Sequence, residues 1–138
     1  MLEKTLSSEQ EKHYRELLAR ATETMRLAHA PYSNFRVGAA VEMEDGTVFT
    51  GCNVENRVIS LGICAERTAF VKAISQGKTN FSTVAIVAER AKNVWPCGLC
   101  RQFMSEFGAD IKIIVETESQ QLVVRTVREL IPNLEHNG

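Results

Sequence analysis

Three cysteines constrain this chain more than any other feature. Cys64 precedes Ala65-Glu66, and Cys97 and Cys100 stand in the run Pro96-Cys97-Gly98-Leu99-Cys100. A C-x-x-C pair at the start of a helix turns both sulfurs toward one point, because one helical turn returns the chain to the same side. A third cysteine at the start of a second helix can bring its sulfur to the same place. Helix N-termini favour negative charge and so help to hold thiolates. Structural zinc sites close with four protein ligands, whereas catalytic sites keep three and leave one position open. The fourth cysteine, Cys52, lies beside a hairpin end, and His13, His29 and His136 lie at no ligand spacing from a cysteine. The spacing therefore predicts a zinc held by Cys64, Cys97 and Cys100, with an open position for water. Glu66, two residues after a ligand, is placed to exchange protons with that water. Three thiolates on a divalent ion leave one net negative charge, which Arg67 and Arg101, each next to a ligand, are expected to offset. From the residues alone three other readings stay open: a redox pair at Cys97 and Cys100, a four-cysteine structural site that includes Cys52, and buried inert thiols. The redox pair leaves Cys64 and Glu66 unexplained.

Composition narrows the partner. The chain has 138 residues, 44% hydrophobic and 24% charged, which suits one globular domain over residues 1–138. Its 16 basic and 17 acidic residues give a formal net charge of −1, so no chain-wide basic field exists to grip nucleic acid or anionic lipid. A small ligand is the expected partner, with no nucleic acid and no membrane. No apolar run approaches the roughly 18 to 20 residues of a membrane span. Met1-Leu2-Glu3-Lys4-Thr5-Leu6 does not read as a signal peptide, so a cytoplasmic location is expected.

The pattern along the chain alternates helices and strands. Ser8 and Glu11 suggest a capping box before a helix whose apolar positions include Tyr14, Leu17, Leu18, Ala21, Met25 and Ala28, ending near His29 ahead of Pro31. Val37, Ala39, Val41 and Met43 alternate as a half-buried strand, Glu44-Asp45-Gly46 signals a hairpin, and residues 47–51 return. An irregular loop follows over 52–63. A helix runs from Cys64 to Gly77, a buried strand over 81–88, a helix from Cys97 to about Phe107 with Pro96 in its first turn, and a strand over 111–115. A short edge strand over 122–124 and a last helix capped by Thr126 and Glu129 complete the chain. Strands separated by helices need crossover connections. The expected fold class is α/β, a three-layer α/β/α sandwich with a mixed sheet of about five strands.

Cys64-Ala65-Glu66 with Pro96-Cys97-Gly98-Leu99-Cys100 resembles the three-cysteine form of the zinc deaminase signature. Tyr32-Ser33-Asn34-Phe35-Arg36-Val37-Gly38-Ala39-Ala40, Gly51-Cys52-Asn53-Val54-Glu55-Asn56 and Cys64-Ala65-Glu66-Arg67-Thr68-Ala69 narrow the resemblance to the small, homotetrameric cytidine deaminases, across residues 14–132. The resemblance implies hydrolytic deamination of cytidine, and of deoxycytidine, to the uracil nucleoside and ammonia. It implies one zinc per subunit on Cys64, Cys97 and Cys100, and Glu66 as the proton shuttle while zinc-activated water attacks C4. Asn53 and Glu55 would hydrogen-bond the ribose hydroxyls, Phe35 would pack near the nucleoside, and the backbone at Ala65 would meet the pyrimidine. It also implies a homotetramer with sites completed across subunit interfaces. The chain departs from the family pattern in two places. Arg57-Val58-Ile59-Ser60 lacks the aromatic residue found in some members, and Pro132-Asn133-Leu134-Glu135 lacks a C-terminal Phe. The rival readings are a deaminase of modified aminopyrimidine nucleosides of the blasticidin S type, a polynucleotide-editing deaminase, which would want basic grooves, and a non-catalytic zinc-stabilised interaction domain.

Overall fold

The structure, a computed structural model, describes residues 5–132. His136 and the tail beginning at Asn133 lie outside the described residues. The elements run α1 (Ser8–Met25), β1 (Val37–Met43), β2 (Val48–Cys52), a 3-10 turn (Ile59–Leu61), α2 (Ala65–Ser75), β3 (Phe81–Ala88), α3 (Gly98–Ser105), β4 (Lys112–Glu116), β5 (Leu122–Thr126) and α4 (Val127–Leu130). The five strands form one mixed sheet in the order β2-β1-β3-β4-β5. β3 and β4 are the parallel pair, joined by the crossover that carries α3, and the other neighbours are antiparallel.

Both faces of the sheet are covered. On one, Tyr14, Leu17 and Leu18 of α1 pack against Ala85 and Ile114. On the other, Ala69, Phe70 and Met104 of α2 and α3 pack against Val41, Val84, Ile86, Ile113 and Val115. This is the expected α/β/α sandwich, and it explains why Val84-Ala85-Ile86-Val87 is apolar in succession. β1 departs from the half-buried alternation expected of it: Gly38, Ala39, Ala40 and Val41 are all buried. The reason is α1, which lies so close that a Cβ on Gly38 would stand 2.0 Å from the Ala21 carbonyl oxygen.

Several boundaries differ from the sequence reading. The cap of α1 is Ser7, not Ser8. Its hydroxyl accepts from the Gln10 N–H at 3.1 Å, while the Gln10 side chain accepts from the Ser7 N–H at 2.9 Å. α1 ends at Met25 rather than near His29, because His29 leaves the helix to pair with the 53–55 segment. The His29 N–H donates to the Asn53 carbonyl at 3.0 Å, and the Glu55 N–H donates to the His29 carbonyl at 2.7 Å. Pro96 precedes the cap of α3, Cys97, instead of lying in its first turn, and α3 stops at Ser105. β4 runs one residue later than expected, and β5 continues to Thr126 at the sheet edge. The expected Thr126–Glu129 capping box is present.

An aromatic cluster ties the two cysteine-bearing helices to the sheet. Phe70 of α2 stacks on Phe81 of β3 at 3.9 Å between ring centroids, and Phe103 of α3 meets Phe70 edge-on at 6.1 Å. Phe70 is fully buried. Phe70→Ala is expected to destabilise the protein by about 3–5 kcal/mol through lost burial and the cavity left behind. Urea unfolding of zinc-stripped protein checks this, and a loss below about 1 kcal/mol would remove the cluster from its bracing role.

Candidate active site

The two cysteine motifs meet because both sit at helix starts on the same face of the sheet. Cys64 is the N-cap of α2 and Cys97 the N-cap of α3, with Cys100 in the first turn of α3. β2 presses against α2 at Gly51, where a Cβ would lie 2.5 Å from the Ala69 nitrogen, so the glycine permits the close packing beneath the site. The three sulfurs lie within 4.8 Å of one another, and Cys64 and Cys97 are 3.9 Å apart. Zinc–sulfur bonds of about 2.3 Å in a tetrahedron separate sulfurs by roughly 3.8 Å, so the cluster fits zinc with a modest closing movement. Cys100 is buried, Cys64 half-buried and Cys97 exposed, so the cluster is open on one side. Among the described residues these three are the group whose donor atoms converge in this way, and Cys52 and the described histidines are not part of it.

The electrostatics also fit an ion with thiolate ligands. The hydrogen bond from the Cys100 thiol, followed by contact with Arg67, holds the Cys64 thiol well below its ordinary range. The same hydrogen bond, together with burial, pushes Cys100 far up. A divalent cation would displace the thiol protons on binding. Arg67 reaches the Cys64 sulfur with Nη2 at 3.5 Å, and its own Nε is buried without a hydrogen-bond partner. An orphaned guanidinium N–H beside the sulfurs suits a site that becomes more negative when all three ionise. The guanidinium of Arg101 does something else. Its Nε donates to the Pro96 carbonyl at 2.7 Å and its Nη1 to the Leu130 carbonyl at 2.9 Å. Arg101 thus braces the loop before α3 against the end of α4, and among the described residues its expected part in offsetting the thiolate charge runs through no hydrogen bond to a sulfur.

Glu66, in the first turn of α2, is 5% exposed. Burial pushes its carboxyl up to about 7, the nearby Cys64 charge raises it further, and its own N–H and Cys100 draw it partly back. The acid is therefore packed at the sulfur cluster and can be either charged or neutral near pH 7. Ala65 beside it is fully buried.

A cleft of about 750 Å³ opens beside the cluster, with Cys64, Arg67, Asn53, Glu55 and Leu99 among its walls. Asn53 and Glu55 carry structural hydrogen bonds that the sequence did not reveal. The Asn53 Oδ1 accepts from the Val37 N–H and its Nδ2 donates to the Phe35 carbonyl, each at 2.8 Å. Glu55 accepts from the N–H groups of Tyr32 and Ser33 at 3.0 and 3.1 Å, and from the Ser33 hydroxyl. These bonds, Ser33 first, hold the Glu55 carboxyl below its usual range. Both side chains thus clamp the 32–37 loop at the cleft, and each keeps further hydrogen-bonding capacity. Phe35 is half-buried behind this clamp and does not line the cleft. Sequence reasoning missed Ser33 as the partner of Glu55, although the quoted Tyr32-Ser33-Asn34-Phe35 run contains it.

Comparison with known proteins gives one family. Residues 11–117 match the cytidine and deoxycytidylate deaminase zinc-binding region. The cytidine deaminase of Sporosarcina psychrophila is 42% identical over 117 residues, covering 84% of this chain and 86% of the relative. The blasticidin-S deaminase of Bacillus cereus is 30% identical over 125 residues, covering 85% of this chain and 88% of the relative. The crystal structure of cytidine deaminase from Burkholderia pseudomallei superposes with a TM-score of 0.82 at 39% identity, covering 88% of this chain and 98% of that one. The converging cysteines, the buried glutamate and the match of more than half the sequence lead to one conclusion: this chain belongs to the cytidine and deoxycytidylate deaminase family.

Proposed function

We propose that the chain hydrolyses the 4-amino group of cytidine and deoxycytidine, consuming one water and releasing ammonia and the uracil nucleoside. The observation that carries the reading is the convergence of Cys64, Cys97 and Cys100 beside a buried Glu66, with Cys64 in the wall of a cleft of about 750 Å³. The three sulfurs would hold zinc, and zinc when bound supplies a Lewis acid that ionises water near neutral pH. Glu66 takes the proton that the water gives up and delivers it to N3 of the ring, which makes C4 the stronger electrophile. Once the water oxygen has bonded to C4, the same carboxyl takes the second proton from that oxygen and gives it to the amino group; the C4–N bond breaks, ammonia leaves, and the oxygen remains as the C4 carbonyl of the uracil. A carboxyl that can hold or release a proton near pH 7 suits both steps. Arg67 balances thiolate charge through Cys64. Asn53 and Glu55 offer their remaining donor and acceptor capacity to the sugar hydroxyls. Phe35, whose carbonyl accepts from Asn53, packs near the nucleoside, and the Ala65 backbone meets the ring.

The remaining parts of the reading concern assembly and location. Residues 1–138 form one domain, supported by the single sheet to which the described elements attach. The chain assembles as a homotetramer. Support comes from the resemblance and from the large exposed apolar residues at and near the cleft, Ile59 at 91%, Leu99 at 71% and Leu61 at 68% exposure. It works in the cytoplasm, where free thiols stay reduced.

Zinc-replete protein mixed with cytidine is expected to release ammonia in step with the ultraviolet change from cytosine to uracil. Zinc-replete protein that releases none from cytidine or deoxycytidine would overturn the reading.

A further inference from the structure

Resting on the reading of the three cysteines as zinc ligands, we infer that Arg101 is a positioning residue that sets how tightly the zinc is held, by fixing the backbone that carries Cys97 through hydrogen bonds anchored on α4. Cys97 has the least packing of the three to hold its sulfur, since it is exposed whereas Cys64 is half-buried and Cys100 fully buried. Its place therefore depends on its backbone. The chain reaches Cys97 from β3 through irregular structure, and among the described residues no N–H over 94–97 donates to a backbone carbonyl. The carbonyl of the buried Pro96 likewise accepts from no backbone N–H there. Arg101 supplies the missing donor, with its Nε 2.7 Å from that carbonyl oxygen. Its Nη1 extends the link to the Leu130 carbonyl at 2.9 Å, at the end of α4. α4 is a firm anchor, with a capping box at Thr126 and Glu129 and with Val127 only 1% exposed. A planar guanidinium that engages two carbonyls through a rigid fork holds both in register. Arg101 directly follows Cys100, and its own N–H donates to the Cys97 carbonyl at 2.9 Å. One residue thus ties both members of the C-x-x-C pair to a docked helix, as the partners that orient metal ligands do.

The test is zinc affinity, measured by competition with a colorimetric chelator, in the parent, Arg101→Met, Arg101→Lys and Leu17→Ala. Methionine keeps an apolar stem and removes the donors, and lysine keeps the charge without the fork. Leu17→Ala truncates a buried side chain on the opposite face of the sheet and controls for a general loss of stability. The zinc Kd of Arg101→Met is expected to rise about ten- to hundredfold, with Arg101→Lys between it and the parent and Leu17→Ala close to the parent. Because the acceptors are neutral carbonyls, the ratio of variant to parent Kd should be the same at about 0.05 M and about 0.5 M salt. A Kd unchanged in Arg101→Met overturns the inference, as does equal weakening by Leu17→Ala. A ratio that collapses at high salt also overturns it, since the guanidinium would then act through its charge on the thiolates. The measurement needs no turnover, so its outcome is separate from that of the proposed reaction: a parent that holds zinc without deaminating cytidine or deoxycytidine sinks the proposed function and leaves the Kd ratio to decide this inference. A parent that binds no zinc overturns both.

Discussion

Zinc-loaded Glu66→Gln protein is expected to keep its metal and its fold while losing turnover by at least about 10²–10⁴-fold, the scale of a positioned acid–base group. Glutamine keeps the size of the side chain and one acceptor oxygen but cannot accept and return a proton. The loss should fall on kcat with KM little changed, because the group acts on the reacting atoms. The same substitution has a stability signature in protein stripped of metal. Burial holds the Glu66 carboxyl up at about 7, against 4.5 for the free side chain. At low pH the acid is neutral whether the chain is folded or unfolded, so it costs nothing there. As pH rises from 4.5 through 7, the unfolded chain releases the proton before the folded one does, and stability falls. Glutamine is exempt. Stripped Glu66→Gln should therefore be more stable than stripped parent at pH 8, by an amount on the order of a few kcal/mol, with the difference closing toward pH 4. Chemical denaturation at the two pH values measures it. A near-parental deamination rate in the zinc-loaded variant would remove Glu66 from the mechanism.

Cys97→Ala is expected to abolish stoichiometric zinc binding and, with it, activity. Cys97 is the cleanest of the three cysteines to remove because its residue is exposed, whereas Cys100 is fully buried and its truncation would also leave a packing defect. In metal-stripped protein, Cys97→Ala should lie within about 0.5 kcal/mol of the parent, as a surface change does. In excess zinc the two should separate, because an ion that binds only the folded state at a thousand times its Kd adds about 4 kcal/mol. Thermal unfolding with and without zinc resolves the two effects. Equal zinc-dependent stabilisation of parent and variant would mean that Cys97 is not a ligand.

The sheet and its layers were legible in the sequence because their signals are local. The apolar run at residues 84–87 announces a strand covered on both sides, and the Thr126–Glu129 box announces a helix start. Where the reading slipped, a distant segment had decided the outcome. α1 ends early because His29 is drawn into pairing with residues 53–55, and β1 is buried on both faces because α1 lies over Gly38. The site divides in the same way. Ligand spacing placed Cys64, Cys97, Cys100 and Glu66 together, since helix geometry links sequence spacing to direction. Spacing could not tell that Arg101 would reach Pro96 and Leu130 instead of a sulfur, nor that Asn53 and Glu55 would clamp the loop before β1. Side chains of that length choose partners by tertiary proximity, which no local pattern encodes.

X-ray absorption at the zinc edge of the reconstituted protein, paired with metal analysis, tests the central claim most directly. One zinc per chain, with three sulfur neighbours and one lighter neighbour that exchanges with added ligand, is the predicted result. A fourth protein side chain on the metal, or full deamination by protein shown to contain no metal, would contradict it.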